Sequence, residues 1–453
     1  MPGSSAPSST VPRPEGTRQP VVIAGGRVID PSRGLDRIGD LLLADGRIRG
    51  LVGVDCDPPA SATRRVEAVG MVVAPGFVDL HAHLRTPGQE HKETIASGTR
   101  AAARGGFTTI CCMANTSPPL DNRGLVEHVQ SLAAEEGVVR VLPLGAVTKG
   151  LAGAELTEMA ELAEAGVVAF SDDGVPLASS RLMRHALEYS RGFERPIMPH
   201  CDDPELMSGG AMNEGPVAAK LGLRGMPNAG EEAMVARDVA LAELTHGRLH
   251  VCHVSTEGAI DAIRRGRTRG VRVSGEASPH HLTLTDEWVA GVRWEGRGEP
   301  YDTNTKMNPP LRSERDRRAL VAAVREGTIE AIATDHAPHA LVDKLCQYDQ
   351  AAFGIVGFET ALGSLGRLIE SGELDLATVI ERLTVGPCRV FGLPYGTLQP
   401  GATADVVVFD PGARWTLRVE DLVSKGKNSP YLGQTLVGRV IATFYGGESV
   451  YLA

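Results

Sequence analysis

The chain has 453 residues, enough for two domains or for one large domain with an accessory part. Apolar residues are 42% and charged ones 23%, as in ordinary globular proteins, and the net charge of −10 is spread over scattered Asp and Glu with no basic block, which argues against nucleic acid as a partner. Seven cysteines, an odd number with no C-x-x-C pair, offer no disulfide framework and suit a reducing cytoplasm, and no apolar run is long enough to span a bilayer.

Residues 1–19 are rich in Ser, Pro and Gly and lack an apolar h-region, so they are expected to form a disordered tail and not a signal peptide. From residue 20 to 74 the chain reads as short β-rich pieces (VVIAGGRVID, DLLLADGRIRGLV, RVEAVGMVV) punctuated by GG and DG. Residues 393–453 look alike (ADVVVFDP, TLVGRVIATFYGG), so the two ends together predict one small β domain, a β-sandwich. Between them, residues 75–392 alternate. Apolar runs occur at 77–83, 107–113, 139–145, 167–171, 196–200, 249–253, 271–277 and 329–334, and helix-like stretches such as TIASGTRAAARGG, ELTEMAELAEAG and GEEAMVARDVALAELTHG separate most of them. Runs that are apolar throughout suit a parallel sheet covered on both faces. Eight such βα units predict a (β/α)8 barrel of the TIM type; a doubly wound open sheet is the alternative.

Polar residues collect where these strands stop. FVDLHAH ends in His81 and His83, which share a face because strand side chains repeat every second residue. VVAFS runs into Asp172 and Asp173, PIMPH ends in His200, LHVCH ends in His253, and IEAIAT runs into Asp335-His336-Ala337-Pro338-His339. A single histidine at a strand end is usually a satisfied structural residue. Five such ends on one rim are harder to attribute to chance, and in a barrel enzyme that rim carries the site. Imidazole and carboxylate donors without a converging cysteine pair suit a divalent metal such as zinc with open positions. Four histidines with one or two carboxylates exceed one tetrahedral site, so two ions sharing a carboxylate are expected. Such a pair acidifies water and polarises a carbonyl, and a nearby carboxylate can carry the proton to a leaving nitrogen.

At these residues the chain resembles the metal-dependent amidohydrolase superfamily and, within it, the bacterial type I dihydroorotases, from about residue 21 to the end. The resemblance rests on PGFVDLHAHLRTPG, ETIASGTRAAARGGFTTICCMANTSPP, FSDDG, SPHHL, KMNPPLR, ATDHAPH and FGIVGFETALG. It implies reversible hydrolysis of the cyclic amide of (S)-dihydroorotate to N-carbamoyl-L-aspartate, in pyrimidine biosynthesis, with two Zn2+ per subunit. It implies that His81 and His83 bind the first zinc, that Asp173 bridges, that His200 and His253 bind the second, and that Asp335 is both a ligand and the catalytic acid/base. It further places His83, Arg85, Asn115 and His339 at the substrate, Arg85 and Asn115 on its carboxylate, with Asn308 and the Phe353-Gly354 backbone on the ring. The sequence leaves Asp172 as an alternative to Asp173, reads His280-His281 as structural or behind the ligands, and leaves His246 and His250 unassigned. Residues 341–352 could cover the site, and EGRGEPYDTNT before KMNPP is a loop longer than the resemblance leads one to expect. Dihydropyrimidinase, hydantoinase or allantoinase activity is the nearest alternative; a non-catalytic partner of aspartate transcarbamoylase is another. Self-association and binding to the transcarbamoylase are left open.

Overall fold

The computed structural model describes residues 19–59 and 63–453, so the expected N-terminal tail, apart from Gln19, lies outside the described residues. The chain opens with β1 (Val21–Asp30), β2 (Leu35–Ala44), β3 (Arg47–Leu51), β4 (Arg64–Glu67) and β5 (Val72–Pro75). The DG signal between β2 and β3 is a tight hairpin with Asp45 at φ 55° and Gly46 at φ 71°, the double left-handed geometry that matches the twist of the flanking strands.

The middle of the chain supplies β6 (Phe77–Ala82), β7 (Phe107–Cys112), β8 (Arg140–Pro143), a short pair β9 (Met212–Asn213) and β10 (Gly225–Met226), then β11 (Leu249–Val251), β12 (Val273–Ala277) and β13 (Ala331–Ile332). β6, β7 and β8 pair in parallel, as do β11, β12 and β13. Parallel bridges at Gly145–Phe170, Phe170–Ile197 and Ile197–Leu249 join the two sets, and a bridge from Ala82 to His336 returns the last segment to the first. The eight segments expected from the sequence thus hydrogen-bond in chain order around a ring. Two of them, 167–171 and 196–200, are held by a single bridged residue each. In the second of these, Pro196 and Pro199 have no N–H to give to a ladder, which keeps the pairing short.

Helices lie between the ring segments, among them Ile95–Arg104, Arg123–Glu136, Asn228–Thr245, Glu257–Thr268 and Glu314–Glu326. Thr94, Asn122, Thr256 and Ser313 cap four of these by accepting from a first-turn N–H. Side chains of the ring strands divide by alternation. Val78, Leu80, Cys111, Met113, Leu142, Met198, Ala331 and Ala333 form one cluster closed by Val390 and Phe391, whereas Phe77, Phe107, Ile110, Val141, Leu249 and Ile332 join the larger cluster with the helices.

β14 (Val406–Thr416), β15 (Thr435–Tyr445) and β16 (Glu448–Leu452) complete the chain. They join β5, β1, β2, β3 and β4 in one eight-stranded sheet built from both ends. Val406 and Val408 pack with Ile23, Leu41 and Ile48, while Val407 and Phe409 turn to the ring side, where Phe409 meets Phe77 with ring centroids 6.1 Å apart. A buried ion pair, Arg140–Asp405 at 2.8 Å, ties β8 to the segment leading into β14.

Candidate active site

The polar strand ends meet at the mouth of the ring. The β6–β7 register slips between Asp79 and Ala82. Leu80 lies with the interior cluster and Ala82 with the outer one, so this bulge changes which side faces inward and aims His81 and His83 into the ring. His81 Nε2 lies 3.5 Å from Asp173 Oδ1 and 3.5 Å from Asp335 Oδ1. His83 Nε2 lies 3.2 Å from Asp335 Oδ1 and 3.5 Å from Asp173 Oδ2. His253 Nε2 and His200 Nδ1 sit 3.4 and 3.6 Å from Asp173 Oδ1, and 2.8 Å from each other. Asp173 therefore faces all four imidazoles and Asp335 the first two. All six side chains are buried.

Of the two adjacent aspartates, Asp172 turns away. It accepts from the Val147 and Thr148 N–H groups at 2.7 and 3.1 Å and from the Thr148 hydroxyl, which leaves Asp173 as the inward one. Burial lifts Asp172 to about 6 against the Thr148 bonds. Burial acts to raise Asp173 and Asp335 too, but His81 and its neighbours hold both well below the usual carboxylate range.

Ligand atoms of His81, His83 and Asp335 lie within 4.8 Å of one another, as do those of His81, Asp173 and His253. His81 Nε2 and His253 Nδ1 are buried polar atoms without a hydrogen-bond partner. Imidazole nitrogen and carboxylate oxygen so arranged, with an unpartnered ring nitrogen among them, fit a divalent cation.

Three of the imidazoles are held from behind. Glu276 Oε1 lies 2.7 Å from His81 Nδ1, Asp202 Oδ2 lies 2.8 Å from His200 Nε2, and Asn115 Oδ1 lies 2.9 Å from His83 Nδ1. Burial would raise Glu276, but His250 and His81 hold it down at about 2; likewise His200 holds Asp202 down at about 2. Neither carboxylate was singled out in the sequence. Glu276 had a signal: Ser274 and Glu276 occupy one face of an otherwise apolar strand.

Arg85, buried with its Nε donating to Pro338 O at 3.2 Å, stands beside this cluster; burial pushes its guanidinium down to about 10, so it is charged at neutral pH. Asn115 Nδ2 donates to Asp173 O at 3.1 Å, so its amide already serves two neighbours. Asn308 Nδ2 lies 2.9 Å from His200 Nε2, and its buried Oδ1 has no partner. His339 Nε2 donates to Phe353 O at 2.8 Å, and Gly354 N donates to Lys306 O at 3.0 Å. Burial, helped by Arg85, pushes His339 down to about 3.

Five further histidines separate by role. His246 sits left-handed past the end of the helix Asn228–Thr245. His250 lies 3.1 Å from Glu276 Oε2, His281 Nε2 lies 2.9 Å from Pro309 O, and burial pushes His280 down to about 4. His336 Nδ1 accepts from Gly357 N at 3.1 Å. Residues 341–352 begin with a short helix, Leu341–Lys344, and Lys344 Nζ donates to three backbone carbonyls that include Thr303 O and Lys306 O. With the 293–304 loop this segment lines a cavity of about 850 Å3 that contains none of the clustered histidines. Arg85, His253 and Asp335 all have left-handed backbone, φ 59°, 28° and 48°, the kind of local strain that functional sites hold.

The family model described as Dihydro-orotase-like matches residues 70–259. A dihydroorotase of Anaeromyxobacter dehalogenans is 51% identical over 429 residues, covering 95% of this chain and 97% of its own. A dihydroorotase of Geobacter metallireducens is 47% identical, covering 95% and 99%. Among solved structures, L-hydantoinase from Arthrobacter aurescens superposes with a TM-score of 0.83 at 23% identity over 95% of both chains. Dihydropyrimidinase from Brevibacillus agri does so with 0.80 at 21%, again over 95% of both. These last two likenesses concern the fold. No helix among the described residues is long and apolar enough to cross a membrane.

Proposed function

The chain belongs to the dihydroorotase family, and we propose that its active site is the cluster at the mouth of the strand ring, of the bacterial type I class, carried on a (β/α)8 barrel (75–392) beside a small β-sandwich domain (20–74 and 393–453). The enzyme interconverts (S)-dihydroorotate and N-carbamoyl-L-aspartate, a hydrolase reaction on a cyclic amide. One observation carries the assignment of the site: Asp173 within 3.4–3.6 Å of four imidazole nitrogens, with Asp335 against the first two.

His81, His83 and Asp335 would hold one divalent cation, His200 and His253 a second, and Asp173 would be shared. Held by these residues, a pair of zinc ions would supply an acidified water and polarisation of the substrate carbonyl. The rest falls to side chains. Arg85 offers a planar fork to the substrate carboxylate. The partnerless Asn308 Oδ1 is an acceptor for a ring N–H. His83 and His339 flank the substrate; Asn115 sets His83 and reaches the carboxylate side, and the Phe353-Gly354 backbone borders the ring. In the hydrolytic direction Asp335 takes the proton of the attacking water and delivers it to the leaving ring nitrogen. Burial acts to raise its carboxyl, but the neighbouring His81 and His83 hold it below the usual carboxylate range, which keeps it ionised.

The decisive experiment is a zinc count per chain on purified protein, paired with dihydroorotate hydrolysis before and after chelation. Two ions per chain and activity lost and restored with them are expected; full activity after exhaustive chelation would end the metal reading. The hydantoinase and dihydropyrimidinase alternative is separated by the same assay with dihydrouracil, which has no carboxylate for Arg85. A non-catalytic role would fit a chain that had lost ligands, and all six are present here.

A further inference from the structure

The interior of a parallel strand ring is normally filled with apolar layers. Here Val78, Leu80, Cys111, Leu142, Met198 and Ala333 follow that rule. One column breaks it. Starting from His81 and running away from the mouth, Glu276 Oε1 lies 2.7 Å from His81 Nδ1, Glu276 Oε2 lies 3.1 Å from His250 Nε2, and His250 Nδ1 lies 2.8 Å from Ser274 Oγ. Glu276 and His250 are buried. Glu276 Oε1 also accepts from the His253 backbone N–H at 3.4 Å. A buried carboxylate and a buried imidazole in the middle of a core are retained only where each finds its partners, and this chain satisfies them in one direction alone.

A carboxylate only accepts. His81 therefore carries a proton on Nδ1 against Glu276, so the nitrogen that a bound cation would take is Nε2, which faces Asp173 and Asp335 and has no hydrogen-bond partner. His250 likewise donates from Nε2 to Glu276 and accepts at Nδ1 from the Ser274 hydroxyl. We propose that Glu276 is a positioning residue that fixes the tautomer and orientation of His81 toward the first cation, with His250 and Ser274 holding Glu276 in place. His200 is set the opposite way round: Asp202 takes its Nε2 and leaves Nδ1 for the site. The two cation positions thus depend on two different buried carboxylates, and each can be weakened separately.

This inference rests on the reading of the mouth as a two-cation site, and the test separates them. Metal-free full-length protein is titrated with Zn2+ against a chromophoric chelator, and Co2+ is added in parallel to read the visible absorption of the bound ion. Native protein should show two tight sites. Glu276→Gln keeps an acceptor for His81 but loses the charge; it should weaken one site about 10–100-fold, leave the other at native affinity, and shift the Co2+ spectrum of the weakened site. His250→Gln should weaken the same site by less, and it carries the test should Glu276→Gln not fold. Native affinity at both sites in either folded variant, with a lower melting temperature of the metal-free protein as its only defect, would make the column structural and overturn the proposal. Failure of the native chain to take up any tight divalent cation would overturn the site reading, and this inference with it.

Discussion

Replacing Asp335 by Asn tests the proton-carrying step, provided that native and variant are compared at equal metal content, because the same side chain is assigned to the first cation. The amide has the carboxylate's shape and keeps an oxygen toward His83 Nε2, 3.2 Å away, and His81 Nε2, 3.5 Å away, so the pocket need not rearrange. What disappears is the charge and the ability to take a proton. General acid–base catalysis is worth about 10²–10⁴-fold, or about 3–5 kcal/mol of barrier. The stability cost is smaller: one charge-assisted bond, worth about 1.5–3 kcal/mol, becomes a neutral one worth about 1. In a chain of this size that moves the melting temperature by only a few degrees. The assay is the initial rate of dihydroorotate hydrolysis on protein whose metal content has been measured. The variant should keep at least the ion assigned to His200 and His253 and lose about two to four decades of turnover. A rate within about tenfold of native at equal metal content would remove Asp335 from proton transfer.

Arg85→Met should raise the KM for dihydroorotate by about 10–150-fold, the loss of one charge-assisted contact of about 1.5–3 kcal/mol, while any slow turnover of dihydrouracil stays put; an equal loss on both substrates would exclude Arg85 from carboxylate recognition. Asp173→Asn should empty the site of metal, whereas Asp172→Asn should keep it and instead lower the melting temperature, because Asp172 serves Val147 and Thr148; metal loss in the second variant alone would reverse the two roles. Burial lifts Glu359 to about 7 in the fold, above its ordinary value of 4.5. The folded state therefore keeps a proton that the unfolded chain releases, and stability should fall as pH rises from about 4.5 to about 7 and then level off. Glu359→Gln should remove up to about 3 kcal/mol of that fall, read as the native-minus-variant difference in denaturant unfolding at pH 5 and pH 8; an identical difference at both pH values would refute the argument.

Much of this was legible in the sequence because it is periodic or punctuated. The eight ring segments announced themselves as apolar runs, and the Asp45-Gly46 hairpin as a turn dipeptide. The strand-end histidines and aspartates stood out by contrast with those runs. Less legible was anything that depended on which way a side chain turns. Alternation predicts that His81 and His83 share a face, but not that the face is the inner one; the slip between Asp79 and Ala82 decides that. Asp172 and Asp173 are indistinguishable until the Val147–Thr148 backbone captures one of them. Asp202 escaped notice because nothing distinguishes it from the adjacent Asp203, and Glu276 because its alternation with Ser274 is a weak signal; the contacts with His200 and, across 195 residues, with His81 reveal their work.

The ring keeps its cohesion and its chemistry in different places. Apart from the Glu276-His250-Ser274 column, its interior and outer layers are largely apolar, and the terminal sheet adds Val407 and Phe409 to the outer one. The mouth is the reverse: two ionised carboxylates, two imidazole nitrogens without a partner, and left-handed backbone at His253 and Asp335. Groups of this kind are costly to assemble, since buried charge and strained backbone both cost stability. They stay in place because the large core fixes the strand ends and because Glu276, Asp202 and Asn115 leave three of the imidazoles one orientation each. It follows that residues such as Asp172 and Arg140 should act on folding and residues such as Asp335 and Arg85 on turnover, with Glu276 between the two: buried like the first group, and felt at the site like the second.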